Sequence, residues 1–284
     1  MAFLRVKRAG GRAYAYIVES RWNPSLGHPR QRVLAYLGRL DRVRPDAVPK
    51  AYRTPVILSA LATQTSAERA RLRQGAENEA PLFLAAILGG NRAEARRLAR
   101  RAVRTSGPDV FYSDVLVPAL HEVGHRFARR EISVSTEHLA TGTAAGVLAE
   151  MNSKLGEAPP GAPEVVLCVP EGEGHTVALL IAEGLLRRKG YRAVNVSGSA
   201  PTASILEFVR ARRPAAVLIS VTIPSRLETG RRLARQLRRE HPGMRVAVGG
   251  QGTADAFAGR ELPAEGELER VPIEDFIGSW PRVG

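Results

Sequence analysis

The sequence predicts a multidomain α+β and α/β chain: a small N-terminal β-module, then a four-helix bundle, then a C-terminal doubly wound parallel sheet. Three observations predict it. Residues 1–47 alternate apolar and basic side chains around a Gly10-Gly11 pair; residues 77–155 are helical in period and nearly free of strand signals; and from Glu164 onward short apolar runs alternate with amphipathic helices. A length of 284 residues accommodates about two domains, and a 44% hydrophobic content supplies their cores.

The first module reads as strands. Phe3 to Arg8 alternates apolar and basic residues, Gly10-Gly11 makes a tight hairpin turn, Arg12 to Trp22 returns as a second strand, and Gln31 to Leu37 is a third. Residues 1–50 hold eleven Lys and Arg against three Asp and Glu, so more than half of the net charge of +14 lies in under a fifth of the chain. Such asymmetry suits a phosphate backbone. Arg5, Lys7, Arg8 and Arg12 are expected on one surface of the sheet, with DNA as the expected partner; a basic dimerisation hairpin is the competing reading.

Residues 48–76 are expected to be a linker containing a helix. Helix candidates follow at Pro81 to Leu88, Arg92 to Arg104, Pro108 to Arg129 and Val134 to Leu155, and their short connections suggest an antiparallel bundle. His121-Glu122-Val123-Gly124-His125 matches the His-Glu-x-x-His pattern, with its histidines one helical turn apart. Zinc chemistry needs a third protein ligand and an open position. The place where one protease class carries that third histidine is Glu131, so a zinc peptidase ranks behind the other readings.

Pro- and Gly-rich residues 156–163 end the helical region. Glu164 to Val169, Gly190 to Ser197, Ala215 to Thr222 and Met244 to Val248 then read as short buried strands, separated by helices at Thr176 to Lys189, Pro201 to Arg212 and Arg226 to Glu240. In open α/β sheets ligands bind outside the carboxyl ends of the strands, and Glu173-Gly174-His175-Thr176 occupies such a loop. Imidazole is a common transition-metal ligand, and Glu173 can hold the other ring nitrogen. A dinucleotide site is excluded twice: the third glycine of the fingerprint falls at Val177, and the second strand ends in Asn195, Val196 and Ser197 without an acid for a ribose. No Gly-Lys-Ser/Thr follows for a phosphate loop. Cys168, the single cysteine, lies in a strand and reads as a small buried apolar residue.

Residues 163–280 resemble the cobalamin-binding domain of corrinoid proteins, a flavodoxin-like or Rossmann-like fold. The signature is an acid, one residue, then His, with small polar residues after the third strand and Gly-Gly after the fourth: Glu173 and His175, Ser220 and Thr222, Gly249 and Gly250. The resemblance implies that His175 is the lower axial ligand of cobalt, that Thr176 lies beside the cofactor, and that its nucleotide tail runs along the small residues. Ala178 stands where that family usually has Gly. Leu84 to Leu148 resembles the helical cap that precedes this fold, and Val117-Pro118-Ala119-Leu120, Val123-Gly124, Phe127, Ile132-Ser133-Val134 and Glu137-His138 fit the light-sensing regulators of that group. It implies that Phe127, Val134, Glu137 and His138 line the upper face around an adenosyl group. Ala128 replaces a histidine often found in light-sensing relatives, so a different photoproduct is expected. Arg5 to Leu40 is similar to the amino-terminal arm of certain insertion-element transposases, which again implies DNA.

The expected function is therefore an adenosylcobalamin-binding, light-responsive transcriptional regulator that forms a homo-oligomer; methylcobalamin is the other possible cofactor form. A corrinoid methyl carrier serving a methyltransferase partner is the alternative. Domains are expected at 1–47 (basic β-module), 48–76 (linker), 77–155 (helical cap) and 163–284 (cobalamin-binding sheet). No apolar run reaches membrane-span length and Met1 to Arg8 carries charge where a signal peptide needs an apolar core, so a cytoplasmic location is expected.

Overall fold

The computed structural model describes residues 2–23, 27–196 and 198–256, in two compact units, Met1–Ser133 and Val134–Gly284. Ser197 and the expected last stretch of the sheet domain, 257–284, lie outside the described residues. The first unit opens with an antiparallel meander of β1 (Ala2–Ala9), β2 (Arg12–Asn23) and β3 (His28–Arg39). Gly10 and Gly11 both take positive φ, which makes the two-residue turn possible. Strand alternation sends Ala13, Ala15 and Ile17 to one face, where they are fully buried with Leu40, Val43 and Val48 against Ile57 and Leu61 of α1 (Pro55–Leu88).

The expected linker is largely that helix. α1 runs 34 residues, capped by Thr54, whose Oγ1 accepts from the Ile57 amide, and it absorbs the separate helix expected at Pro81 to Leu88. Pro81 removes one backbone donor inside it, a cost of roughly 3 kcal/mol that the burial of Phe83, Ala86 and Ile87 in the next two turns offsets. Asn91 caps α2 (Arg92–Thr105). The single helix expected at Pro108 to Arg129 is instead α3 (Pro108–Phe111), a π-helical turn at Tyr112–Leu116, and α4 (Val117–Ala128). Pro118 has no N–H for the carbonyl four residues earlier, and a π-turn next to it accommodates that gap.

The four arginine and lysine residues expected on one surface of β1 and β2 do not share it. Arg5 and Lys7 point away from the core, but Arg8 has the opposite parity and donates to Glu68 of α1 at 2.7 Å. Arg12 is on the outer face, yet its Nε donates to the Arg104 carbonyl of α2 at 2.9 Å. Arg8 is therefore a structural cation. Glu68 is 2% exposed and also takes two bonds from Arg71. Burial alone would raise its pKa; the hydrogen bonds from Arg71 and Arg8 outweigh that and lower it. Its stabilisation is thus present above the free glutamate pKa of about 4.3 and is lost as pH falls through the lower folded value. Replacing Glu68 with Gln is expected to remove about 2 kcal/mol from the first unit at neutral pH and to flatten its acid-induced loss of stability, read by hydrogen exchange of β2 amides across pH.

The second unit begins with α5 (Val134–Ser153), the last of the expected bundle helices, which packs on α6 (Val177–Arg188); Asn152 Nδ2 donates to the Leu180 carbonyl at 2.8 Å. The sheet consists of β4 (Glu164–Cys168), β5 (Arg192–Asn195), β6 (Ala216–Ser220) and β7 (Arg245–Gly249), all parallel in the order β5-β4-β6-β7. The connecting helices are α6, α7 (Thr202–Arg212) and α8 (Leu227–Glu240), with α9 (Gln251–Ala256) after β7. Val166 and Cys168, Val217 and Ile219, and Val246 and Val248 form one core with α7 and α8. This is the doubly wound class that the alternating pattern predicts. Cys168 is fully buried, and burial pushes its thiol up to about 12. Among the described residues, no helix is long and apolar enough to cross a membrane.

Candidate cofactor site

The chain leaves β4 for β5 on one side and later crosses to β6 on the other, so the topological switch point lies between the carboxyl ends of β4 and β6. Two loops meet there. The first, after β4, carries Glu173 and His175; the second, after β6, carries Thr222 and Ile223.

Glu173 joins them. Its side chain is fully buried. Oε1 accepts from His175 Nδ1 at 2.6 Å and from the His175 amide at 3.0 Å, while Oε2 accepts from the amides of Thr222 and Ile223, both at 2.9 Å. Burial favours the protonated acid, but the His175 ring and the three amides overcome it and hold the carboxyl at about 2. The same bond raises the pKa of His175 against its partial burial, and Glu137 adds to the effect from α5. With Nδ1 committed to Glu173, Nε2 is the nitrogen that the half-exposed ring presents outward. A carboxylate on one nitrogen and an open second nitrogen is the arrangement that orients histidine ligands and raises their basicity.

The surroundings suit a flat cofactor with a tail. Ser220, at the end of β6, is 1% exposed and its Oγ has no hydrogen-bond partner among the described residues, so a buried polar atom at the crevice awaits a ligand group. A side chain at Gly174 would meet nothing within 4 Å, which leaves space around His175. Gly249 pairs with Ser220 across β6 and β7. Gly250 answers a need within the chain itself: its φ is +113°, and a Cβ would stand 2.4 Å from the Val221 carbonyl oxygen. Gly250→Ala is accordingly expected to destabilise the second unit by about 2–3 kcal/mol, visible as a lowered melting temperature of that unit.

Sequence reasoning missed the bracing of the β4 loop. Gly172, at φ +80°, lies under the Arg226 guanidinium and donates to Ser199 Oγ, and Glu171 accepts from the Thr202 amide at the start of α7. Ile223 was missed as well, because it acts through its main chain. On α5, Glu137 accepts from Thr141 and bonds the ring of its neighbour His138; His138 and Val134 are exposed. Phe127 belongs to the first unit and is 44% exposed. In the zinc-like pentapeptide, Glu122 is ion-paired to Arg126 at 2.8 Å, and no group of three potential metal-ligating His, Cys, Asp or Glu side chains occurs among the described residues.

A histidine and buried glutamate at the switch point of a parallel sheet make a ligand-binding crevice of the doubly wound class. Residues 163–264 match the family model of a B12 binding domain and residues 82–151 match a second B12 binding domain model, so the chain carries B12 binding domains and its cofactor is of the B12 family. Over its whole length it is similar to the HTH-type transcriptional repressor CarH of Myxococcus xanthus, with 28% identity over 295 aligned residues that cover 100% of this chain and 95% of that protein. It is also similar to the HTH-type transcriptional repressor CarA of the same organism, 31% identical over 119 residues; that match spans 37% of this chain and only 39% of CarA. The monomethylamine corrinoid protein of Methanosarcina barkeri shares the fold, with a TM-score of 0.50 at 19% identity, covering 64% of this chain and 90% of that one.

Proposed function

We propose that the protein is an adenosylcobalamin-dependent, light-responsive transcriptional regulator in which His175 Nε2 would ligate the cofactor's cobalt. The observation that carries this reading is the buried Glu173, which fixes the His175 ring and ties the loops after β4 and β6 into one structure. Bound adenosylcobalamin would supply a cobalt–carbon bond that light can cleave. The chain's own residues do the rest. Glu173 holds the proton on Nδ1 and leaves Nε2, made more basic by that bond, as the nitrogen open to a metal, which would displace the proton there. Ser220 and Thr222 offer hydroxyls to the nucleotide tail, with Thr176, Gly249 and Gly250 beside it. Glu137 and His138 supply polar contacts to the adenosyl group with Val134 at their side.

Coupling to assembly requires the ligand to bind two states of the protein with different affinity. The regulator reading draws on the whole-length similarity to a transcriptional repressor and on the basic N-terminal module, whose described residues fold as a sheet. Size-exclusion chromatography of protein reconstituted with adenosylcobalamin, in the dark and after green light, tests it. The expected result is a change of assembly on illumination together with a change in DNA affinity. Constant assembly, with methyl transfer from methylcobalamin to a partner enzyme, would favour the corrinoid methyl carrier instead.

A further inference from the structure

Beyond the core of the first unit, the outer face of its sheet is unusual for a solvated surface. Strand register places Arg5 and Lys7 of β1 opposite Tyr16 and Tyr14 of β2, and Tyr36 of β3 opposite Tyr16. The three tyrosines form one aromatic patch, with ring centroids 5.1 Å apart for Tyr16 and Tyr36 and 6.4 Å for Tyr14 and Tyr36. Lys7 Nζ sits 5.4 Å from the Tyr16 ring centre. Tyr36 is 58% exposed and Trp22, further along β2, is 66% exposed. Exposed aromatics framed by cations mark a recognition surface.

At its hairpin end this face is tied to α2. Arg12 lies on it, and its bond to the Arg104 carbonyl fixes the hairpin turn beside the last turn of α2; Arg71 fixes the same turn through the Gly11 carbonyl. α2 carries six arginines against one acid, Glu94. Arg96, Arg97, Arg100, Arg101 and Arg104 line a groove of about 410 Å³ along it. Arg97 pairs with Glu94 and Arg101 with Glu79, and α2 as a whole carries five more arginines than acids.

We infer that this outer sheet face, extended by the α2 arginine row, is a duplex DNA-binding surface: the sheet enters the major groove with Tyr36, Arg5 and Lys7 at base edges, and Arg96, Arg100 and Arg104 meet the flanking phosphates. The inference deepens the regulator reading and rests on it for the partner. Three strands about 4.8 Å apart span roughly 10 Å, which fits a major groove about 12 Å wide. β3 carries two register shifts against β2, and such bulges sharpen the right-handed twist that a sheet needs to follow a groove. A second copy of this face is disfavoured as occupant, since eleven basic residues in the first fifty would repel their own kind.

Fluorescence anisotropy on the full chain tests it, with a fluorescein-labelled random-sequence duplex several helical turns long, a sequence-matched single strand, and titrations over salt. Arg5→Gln with Lys7→Gln, at base edges, is expected to weaken duplex binding by about tenfold or more with the smaller change of salt slope, and Arg96→Gln with Arg100→Gln and Arg104→Gln to weaken it as much and to lower the slope by about one for each phosphate no longer neutralised. Tyr36→Ala is expected to weaken it by about tenfold with little change of slope. Arg235→Gln with Arg238→Gln and Arg239→Gln on α8, which removes as many charges as the α2 variant, serves as the control and should bind as the parent does, and thermal melting verifies that every variant folds. Parent-like duplex binding by folded sheet and α2 variants, equal losses in the α8 control, or a preference of the parent for the single strand would each overturn the inference while leaving the regulator reading in place. Failure of the parent to bind any duplex would overturn the regulator reading and the inference with it.

Discussion

His175→Ala is expected to abolish the histidine-ligated cobalamin spectrum while the second unit keeps its fold. The ring is half-exposed and hydrogen-bonds to Glu173, so its removal leaves no cavity in the core. The loss should fall on the cofactor. Without an axial nitrogen the affinity is expected to drop by roughly two orders of magnitude or more, above the 10- to 100-fold typical when a residue behind a metal ligand is removed. Absorption spectra and equilibrium dialysis of parent and variant with adenosylcobalamin give both readouts. A parent-like spectrum from the variant would remove His175 from the metal.

Glu173→Gln is expected to damage both the cofactor site and the fold. A carboxylate at this position accepts four N–H donors, from the His175 ring and the amides of His175, Thr222 and Ile223. An amide keeps the shape but points an NH2 group at donors on one side and carries no charge. Hydrogen bonds to a charged group contribute about 1.5–3 kcal/mol each, and several are weakened together, so a loss of about 2–4 kcal/mol in the second unit is expected. Cofactor affinity should fall about 10- to 100-fold, because the ring loses its orientation and part of its basicity. Chemical denaturation of the second unit and dialysis with cobalamin separate the two effects. Asp at this position, shorter by one methylene, is expected to restore charge without reaching both loops, so partial recovery of ring basicity with continued loss of stability would distinguish the two duties of the side chain.

The strands were legible because their signals are local. Alternation around Gly10-Gly11 placed β1 and β2 within a residue or two, and the apolar runs at Val165 to Cys168 and Ala216 to Ser220 marked strands buried on both faces. α1 was not legible as one helix, because Pro81 reads as a boundary and only the burial of Phe83 and Ile87 carries the helix past it. Arg8 looked like part of a cationic surface; strand parity and Glu68, sixty residues away, decide otherwise. At the site, the Glu173 and His175 pair was legible from its strand-to-helix loop taken together with the strands around it and the resemblance they carry, not from the short segment alone. Its anchoring to Thr222 and Ile223 was not, since main-chain amides leave no mark on a sequence. The basic aromatic face across β1, β2 and β3 needed the register, including the shift between Ile17 and Val18 that brings Tyr36 opposite Tyr16.

The most direct measurement is nitrogen NMR of protein labelled with 15N-histidine, before and after loading with adenosylcobalamin in the dark. The Nε2 resonance of His175 is expected to shift on loading while Nδ1 keeps its proton, and both signals are expected to be missing from His175→Ala. Loading that leaves the His175 resonances where they were would contradict ligation through Nε2.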